Sequence, residues 1–384
     1  MEALKKLTEH LEQRMVDYQQ AKEQGTKMVG YVPNGYLPDE LITACSPKAM
    51  PIPIIRGGEH EPVLYSGAYI PRWVNTFYKA QVGYKMLGEN TLYNMVDLLV
   101  NALVDSNQRA MADTWTFFTG IPSYLFGVPH EKTEIGLEYY YDGVKLFKEK
   151  LEELIGTSIE EQKIIEAIEQ INRENRLLKE ISLLRKAEQP PISGMDFIKL
   201  YHSTFMADKK VSNEILEELF TFLKNNRKHD SSSHRPRLLL TGDILATGDY
   251  KIINIIQEMG ADIVIEYFDM GASAYWNEIE VGNDLLKSIA ESHFMKKLPC
   301  CVFRISNERQ DFILDLAKDF NVDGIISYEL MYAECVQIET FSFAKKLKKE
   351  LGIPILRVYS DYDVGGETGA LRTRIETFIE TIRR

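Results

Sequence analysis

The sequence predicts an α/β fold: two doubly wound parallel-sheet lobes, Rossmann- or flavodoxin-like, with a helical section between them. Three observations lead there. Apolar runs of strand length alternate with helix-length stretches near the start of the chain and again towards its end, the pattern of parallel strands joined by crossover helices. The middle instead carries long stretches with apolar residues three and four positions apart, the helical period. Finally, 384 residues at 45% hydrophobic content supply more than one core.

Residues 1–130 are assigned to an N-terminal helix plus the first lobe. The helix fills the first 24 residues and ends near Gly25. A short strand follows at Val29 to Val32, then a turn with Pro33, Asn34 and Gly35, then a helix opening near Pro38, where a missing N–H needs no partner. "MPIPII" reads as extended, "DLLVNALV" (97–104) as a buried strand, the stretch through Arg109 and Trp115 as a helix, and "IPSYLFGVP" (121–129) as a further strand.

Residues 131–235 are assigned to the helical section and a linker. Two long helical patterns are punctuated by Gly156 and Pro190-Pro191, and shorter helices are expected near 194–206 and 211–226. The polar run "NNRKHDSSSHRPR" reads as the linker. Residues 236–384 form the second lobe. Strands are expected at "RLLLTG", "DIVIEYF", 300–304, "GIISYEL" and "IPILRVYS". Helices between them include one near 281–296, and a long helix closes the chain.

The net charge of −12 comes with no basic stripe or tail, which argues against nucleic-acid binding. No apolar run reaches the length of a membrane span, about 18 residues. The amphipathic start lacks the uninterrupted apolar core of a signal peptide, so a cytoplasmic location is expected.

Several chemistries are excluded by spacing. There is no GxxxxGK[ST], no GxGxxG after a first strand, no HExxH and no GxSxG. Cys45, Cys300, Cys301 and Cys335 form no CxxC pair. Cys300 and Cys301 read as small buried apolar residues, with a ligand role as the alternative. "TGDILATGDY" reads as a strand-end turn followed by a helix capped by Thr247 or Asp249. In "SDYDVGGETGALRTRIE", Gly365, Gly366 and Gly369 precede a helix carrying Arg372 and Arg374. Exposed amides with arginines suit an anion seat; a solvated helix face is the competing reading. In "ELMYAECVQIE", Glu334 and Cys335 follow a strand end, beside Asp269 if the strands neighbour each other.

Taken in order, "YVPNGYLPDELITA", "PPISGMDF", "DYKIINIIQEMGADIVIE", "LPC" at 298–300, "DGIISYEL", "GIPILRVYSDY" and "GETGALRTRIETFIE" resemble the small subunits of 2-hydroxyacyl-CoA dehydratases and the related subunits of benzoyl-CoA reductase, nearly end to end. The resemblance implies a heterodimer of similar subunits, each often holding a [4Fe-4S] cluster through three cysteines. It also implies an ATP-dependent activator protein that delivers one electron, and a CoA thioester as substrate.

The cluster cysteines are where this chain departs. The matching positions fall on Ile70 or Pro71 in "AYIPRWV", Val104 in "ALVDSNQR", Asp269 in "DIVIEYFDMGASAYW" and Ala333 in "YAEC". Valine and alanine cannot ligate iron, and Cys335 stands two residues beyond Ala333, where its side chain is expected to turn away. The expectation is a chain that binds no cofactor itself, with the [4Fe-4S] cluster on a paralogous partner subunit. Asp105, Asp269 and Glu334 would line the vacated space as candidate catalytic acids. A non-catalytic scaffold or ligand-binding subunit is the alternative. An atypical metal site of Cys335 with Cys300 or Cys301 is a further one, disfavoured because adjacent residues of a strand point apart.

Overall fold

The computed structural model describes residues 2–226, 235–268, 272–304 and 307–383. The chain opens with α1 (Glu2–Glu23), β1 (Lys27–Tyr31), α2 (Glu40–Ala44) and β2 (Ala49–Pro53). Then come α3 (His60–Ser66), α4 (Thr76–Leu87), α5 (Thr91–Met95), β3 (Leu98–Leu103), α6 (Ser106–Thr119) and β4 (Ser123–Gly127). Four helices follow: α7 (Glu134–Ile155), α8 (Glu161–Leu184), α9 (Gly194–Thr204) and α10 (Lys209–Asn225). Gly156 separates α7 from α8 with a φ of 70°, the left-handed cap that glycine takes without a Cβ penalty. The last part runs β5 (Arg237–Gly242), α11 (Lys251–Glu258), β6 (Asp262–Tyr267), α12 (Ala272–Tyr275) and α13 (Leu285–Ala290), which continues as a π-helical turn (Glu291–Lys296). It closes with α14 (Asn307–Asp319), β7 (Gly324–Leu330), α15 (Glu334–Glu350), β8 (Ile355–Ser360) and α16 (Val364–Ile382).

The strands form two four-stranded sheets, ordered β2-β1-β3-β4 and β6-β5-β7-β8, with every pairing parallel. The two orders are the same: the first strand of each sheet lies between the second and the third. The strand order therefore reverses between β1 and β3 in one lobe and between β5 and β7 in the other. In open α/β sheets ligands bind at such points, outside the carboxyl ends of the strands.

Three cores are formed among the described residues. One lies between the sheets and joins Met28, Ile52 and Leu99 of the first lobe to Leu238, Leu240 and Ile326 of the second. The other two cover the far faces. Helix α8 contributes Ile164 and Ile168 to the outer core of the first lobe, and Leu178 and Ile181 to that of the second, so it spans both. Its end is pinned by Arg185, which donates to Glu266 of β6 at 2.8 Å with both side chains buried. Among the described residues no helix is long and apolar enough to cross a membrane.

Three local expectations are corrected. Residues 300–304 are a turn, not a strand; Cys300 and Phe303 pack into the first lobe's outer core, and the Tyr36 hydroxyl accepts the Cys300 N–H at 2.8 Å. Neither Thr247 nor Asp249 caps α11, whose preceding residue is Tyr250 with no side-chain cap. Asp249 instead accepts from the Tyr328 hydroxyl at 2.6 Å, while Thr247 pairs its backbone with Ile55 and Gly57 of the first lobe. Third, β5 lies between β6 and β7, so the strand ends leading to Asp269 and Glu334 are not neighbours.

Candidate functional site

Four strand ends, two from each lobe, converge on a cavity of about 120 Å³. Asn34 and Tyr36 follow β1, and Val104 and Asp105 follow β3. Asp243 and Ile244 follow β5, and Tyr332 to Val336 follow β7. These are the strands that flank the two reversal points, so both points open onto one space. Gly242 makes the turn into the site possible. Its φ is 140°, and a Cβ there would meet the Tyr328 carbonyl oxygen at 1.8 Å, an approach only glycine allows. Tyr332 holds a left-handed φ of 66°, a conformation that costs a bulky residue about 1 kcal/mol or more and clusters at functional sites.

The polar groups are held by local structure. Asp105 caps α6, its carboxylate accepting from the N–H groups of Asn107 at 2.7 Å and Gln108 at 3.3 Å; Gln108 returns the contact by accepting the Asp105 N–H at 2.5 Å, a complete capping box. Asn75 of the first lobe donates to Asp243 of the second at 2.7 Å. Asn34 accepts the Tyr36 N–H at 3.1 Å, but its Nδ2 is buried with no hydrogen-bond partner among the described residues. An unpaired buried donor beside a cavity is a costly arrangement that a ligand acceptor would relieve.

Of the acids singled out by sequence, Asp105 and Glu334 line this same cavity, Asp105 half-buried and Glu334 exposed at the start of α15. Asp269 and the neighbouring Gly271 lie outside the described residues. Val104 and Ala333 both line the cavity as well, whereas Ile70 is buried in the central core and Pro71 is exposed. Gly365, Gly366 and Gly369 lie inside α16 rather than before it, and the arginines are engaged elsewhere. The Gly365 and Gly366 N–H groups donate to Asp363, each at 3.0 Å, Arg372 pairs with Glu258 at 2.7 Å, and Arg374 donates to the Arg357 carbonyl at 2.6 Å.

The thiols depart from expectation. Cys300, Cys301 and Cys335 all line the cavity: the first two sit on a turn rather than a strand, and Cys335 lies in the first turn of α15. A hydrogen bond from Cys301 draws the Cys335 thiol down to about 7, against burial and the Asp105, Glu334 and Glu339 carboxylates. Among the described residues no three His, Cys, Asp or Glu side chains are placed to hold a metal ion. A surface groove of about 890 Å³ shares Val104, Asp105 and Ser106 with the cavity and is lined by Arg109, His130 and Arg304.

Sequence reasoning missed Asn34, Asn75, Asp243 and Tyr332. Asn34, Asp243 and Tyr332 lie in quoted motifs, but nothing in their local pattern separates a site residue from a turn residue.

A family model described as 2-hydroxyglutaryl-CoA dehydratase, D-component, matches residues 34–382. The chain belongs to that family. This D-component, one member of a multi-subunit dehydratase family, is 22% identical over 364 residues to the putative dehydratase subunit YjiM of Escherichia coli K12, covering 94% of this chain and 93% of that one. It is 23% identical over 363 residues to the (R)-phenyllactyl-CoA dehydratase beta subunit of Clostridium sporogenes, with 94% and 93% coverage. To one of the subunits of benzoyl-CoA reductase from Thauera aromatica it is 20% identical over 364 residues, with 93% and 91% coverage. Among solved structures, the SBP FpvC of Pseudomonas aeruginosa overlays at a TM-score of 0.22 and 13% identity over 93% of this chain and 97% of that one, too little to bear on the fold.

Proposed function

We propose that this D-component works in a 2-hydroxyacyl-CoA dehydratase or benzoyl-CoA reductase-like complex, acts on a CoA thioester, and leaves the [4Fe-4S] cluster to a paralogous partner subunit fed by an ATP-dependent activator. One observation carries the reading. Val104 and Ala333, which stand where the family resemblance puts cluster cysteines, both line the cavity where the strand ends of both lobes meet. Neither side chain has a ligating atom, so the residues present do not fit a cluster held in that way.

The chain's part in the reaction then rests on its own polar groups. Asn34 Nδ2, buried and without a partner among the described residues, is the donor for the thioester carbonyl oxygen or the acyl hydroxyl. Asp105, held by its capping box and lining the same cavity, is an immobile acceptor. Glu334, exposed at the cavity mouth, is the group able to exchange a proton with solvent. The groove lined by Arg109, His130 and Arg304 would carry the CoA arm, whose phosphates call for cationic and hydrogen-bonding contacts.

The test is anaerobic co-purification with the products of neighbouring genes, separation of the subunits, and iron and sulfide analysis of each. A paralogue rich in iron beside an iron-free chain supports the reading. Stoichiometric iron in the separated D-component overturns it.

A further inference from the structure

Cys301 and Cys335 come from distant parts of the second lobe. The first sits on the turn after the π-helix and the second in the first turn of α15, yet the fold brings them to one cavity of about 120 Å³. Both line the cavity, with Cys335 exposed and Cys301 half-buried, so a small reagent reaches the pair. The other two thiols are shielded. Cys45 is buried, donates to the Leu41 carbonyl at 3.2 Å, and is pushed up to about 12 by burial. Cys300 is buried beside Tyr36 and Phe303.

We propose that Cys301 and Cys335 form a thiol-modification site for peroxides, in which Cys335 is oxidised and Cys301 resolves it into a reversible disulfide. The Cys335 thiolate attacks one peroxide oxygen; the O–O bond breaks, leaving a sulfenic acid on Cys335 and releasing hydroxide, which takes a proton to become water. The Cys301 thiolate then attacks the Cys335 sulfur, the S–S bond forms, and the sulfenic oxygen departs as a second water. Each peroxide thus gains two electrons and the thiol pair loses two. A thiol held near neutrality is the one that starts such a sequence, because the thiolate is the nucleophile. A second thiol in the same cavity stops the oxidation before the irreversible acids. The bond would tie the turn carrying Cys301 to the start of α15, beside Asp105 and Glu334. The inference does not depend on which thioester, if any, the cavity receives.

The test uses the full-length reduced chain, treated with equimolar hydrogen peroxide and analysed by intact mass and by non-reducing peptide mapping. The expected result is loss of the mass of two hydrogens and a Cys301–Cys335 cross-linked peptide that dithiothreitol reverses, with Cys45 unmodified. Cys301→Ala should instead accumulate a Cys335 adduct with a sulfenic-acid trap such as dimedone, and Cys300→Ala should still form the cross-link. The proposal is overturned if Cys335 passes to sulfinic acid while Cys301 stays a thiol, if the cross-link uses Cys300, or if Cys45 reacts as fast as Cys335. The wild-type peptide map decides the matter even if a variant fails to fold.

Discussion

Asn75 of the first lobe and Asp243 of the second share a buried hydrogen bond of 2.7 Å beside the cavity, so the same contact joins the lobes and shapes the site. Asn75 is also the cap of α4, its Oδ1 accepting the Phe77 N–H at 2.8 Å. Asn75→Ala removes a helix cap and one donor to a buried carboxylate. The expected loss is about 2–4 kcal/mol of unfolding free energy, read as a lower urea midpoint. A loss near zero would mean that the lobes do not depend on this contact.

The buried pair of Arg185 and Glu266 gives a second prediction. Arg185→Met leaves Glu266 buried with the Tyr275 hydroxyl, which donates to it at 2.9 Å, and removes the cation paired with it. The change should cost about 3–5 kcal/mol. Adding Glu266→Leu removes the stranded charge and should recover most of that loss. Additive single and double variants in denaturant titrations would contradict the pairing.

A third prediction concerns pH. Burial first, and then the neighbouring Glu40 carboxylate, push Asp39 from an ordinary 3.8 up to about 7. A carboxyl raised in the folded state keeps its proton while the unfolded chain loses it. Its contribution is therefore complete below about 4 and is lost as pH rises towards 7. Asp39→Asn removes the titration. The variant should match the wild type at low pH and exceed it near neutrality by a few kcal/mol, since each pH unit between the two values is worth about 1.4 kcal/mol. Urea midpoints that run parallel across that window would contradict the raised titration of this half-buried acid.

A fourth prediction addresses the ligand. Asn34→Asp keeps the acceptor for the Tyr36 N–H but replaces the unpaired donor with a second acceptor. It should weaken binding of an acyl-CoA about tenfold or more, equivalent to at least about 1.4 kcal/mol. Arg304→Glu in the groove should weaken CoA itself by a similar factor. Calorimetry on the purified complex checks both; unchanged affinity in Asn34→Asp would remove this residue from the site.

The strands are legible in the sequence because their signal is local. Leu98–Leu103 and Gly324–Leu330 are apolar runs buried along nearly their whole length, as central parallel strands require. Helix α4 is not legible: from Thr76 to Tyr84 every residue is buried, including Lys79 and Gln81, so no polar face marks a helical period. Residues 300–304 mislead in the opposite sense. Cys300, Cys301, Val302 and Phe303 make an apolar run of strand length, but Cys300 and Phe303 are buried against the other lobe rather than in a sheet. Asp105 can be singled out by its place in a family motif. Asn34 and Asp243 cannot, because what distinguishes them is convergence across more than two hundred residues of chain.

The most direct test of the central claim is a crystal structure of the anaerobically purified complex with anomalous data collected at the iron edge. The account predicts an iron peak in the paralogous partner and none bonded to this chain in the cavity between Val104 and Ala333. An iron peak there, bonded to Cys335, Cys301 or any other side chain of the D-component, would contradict it.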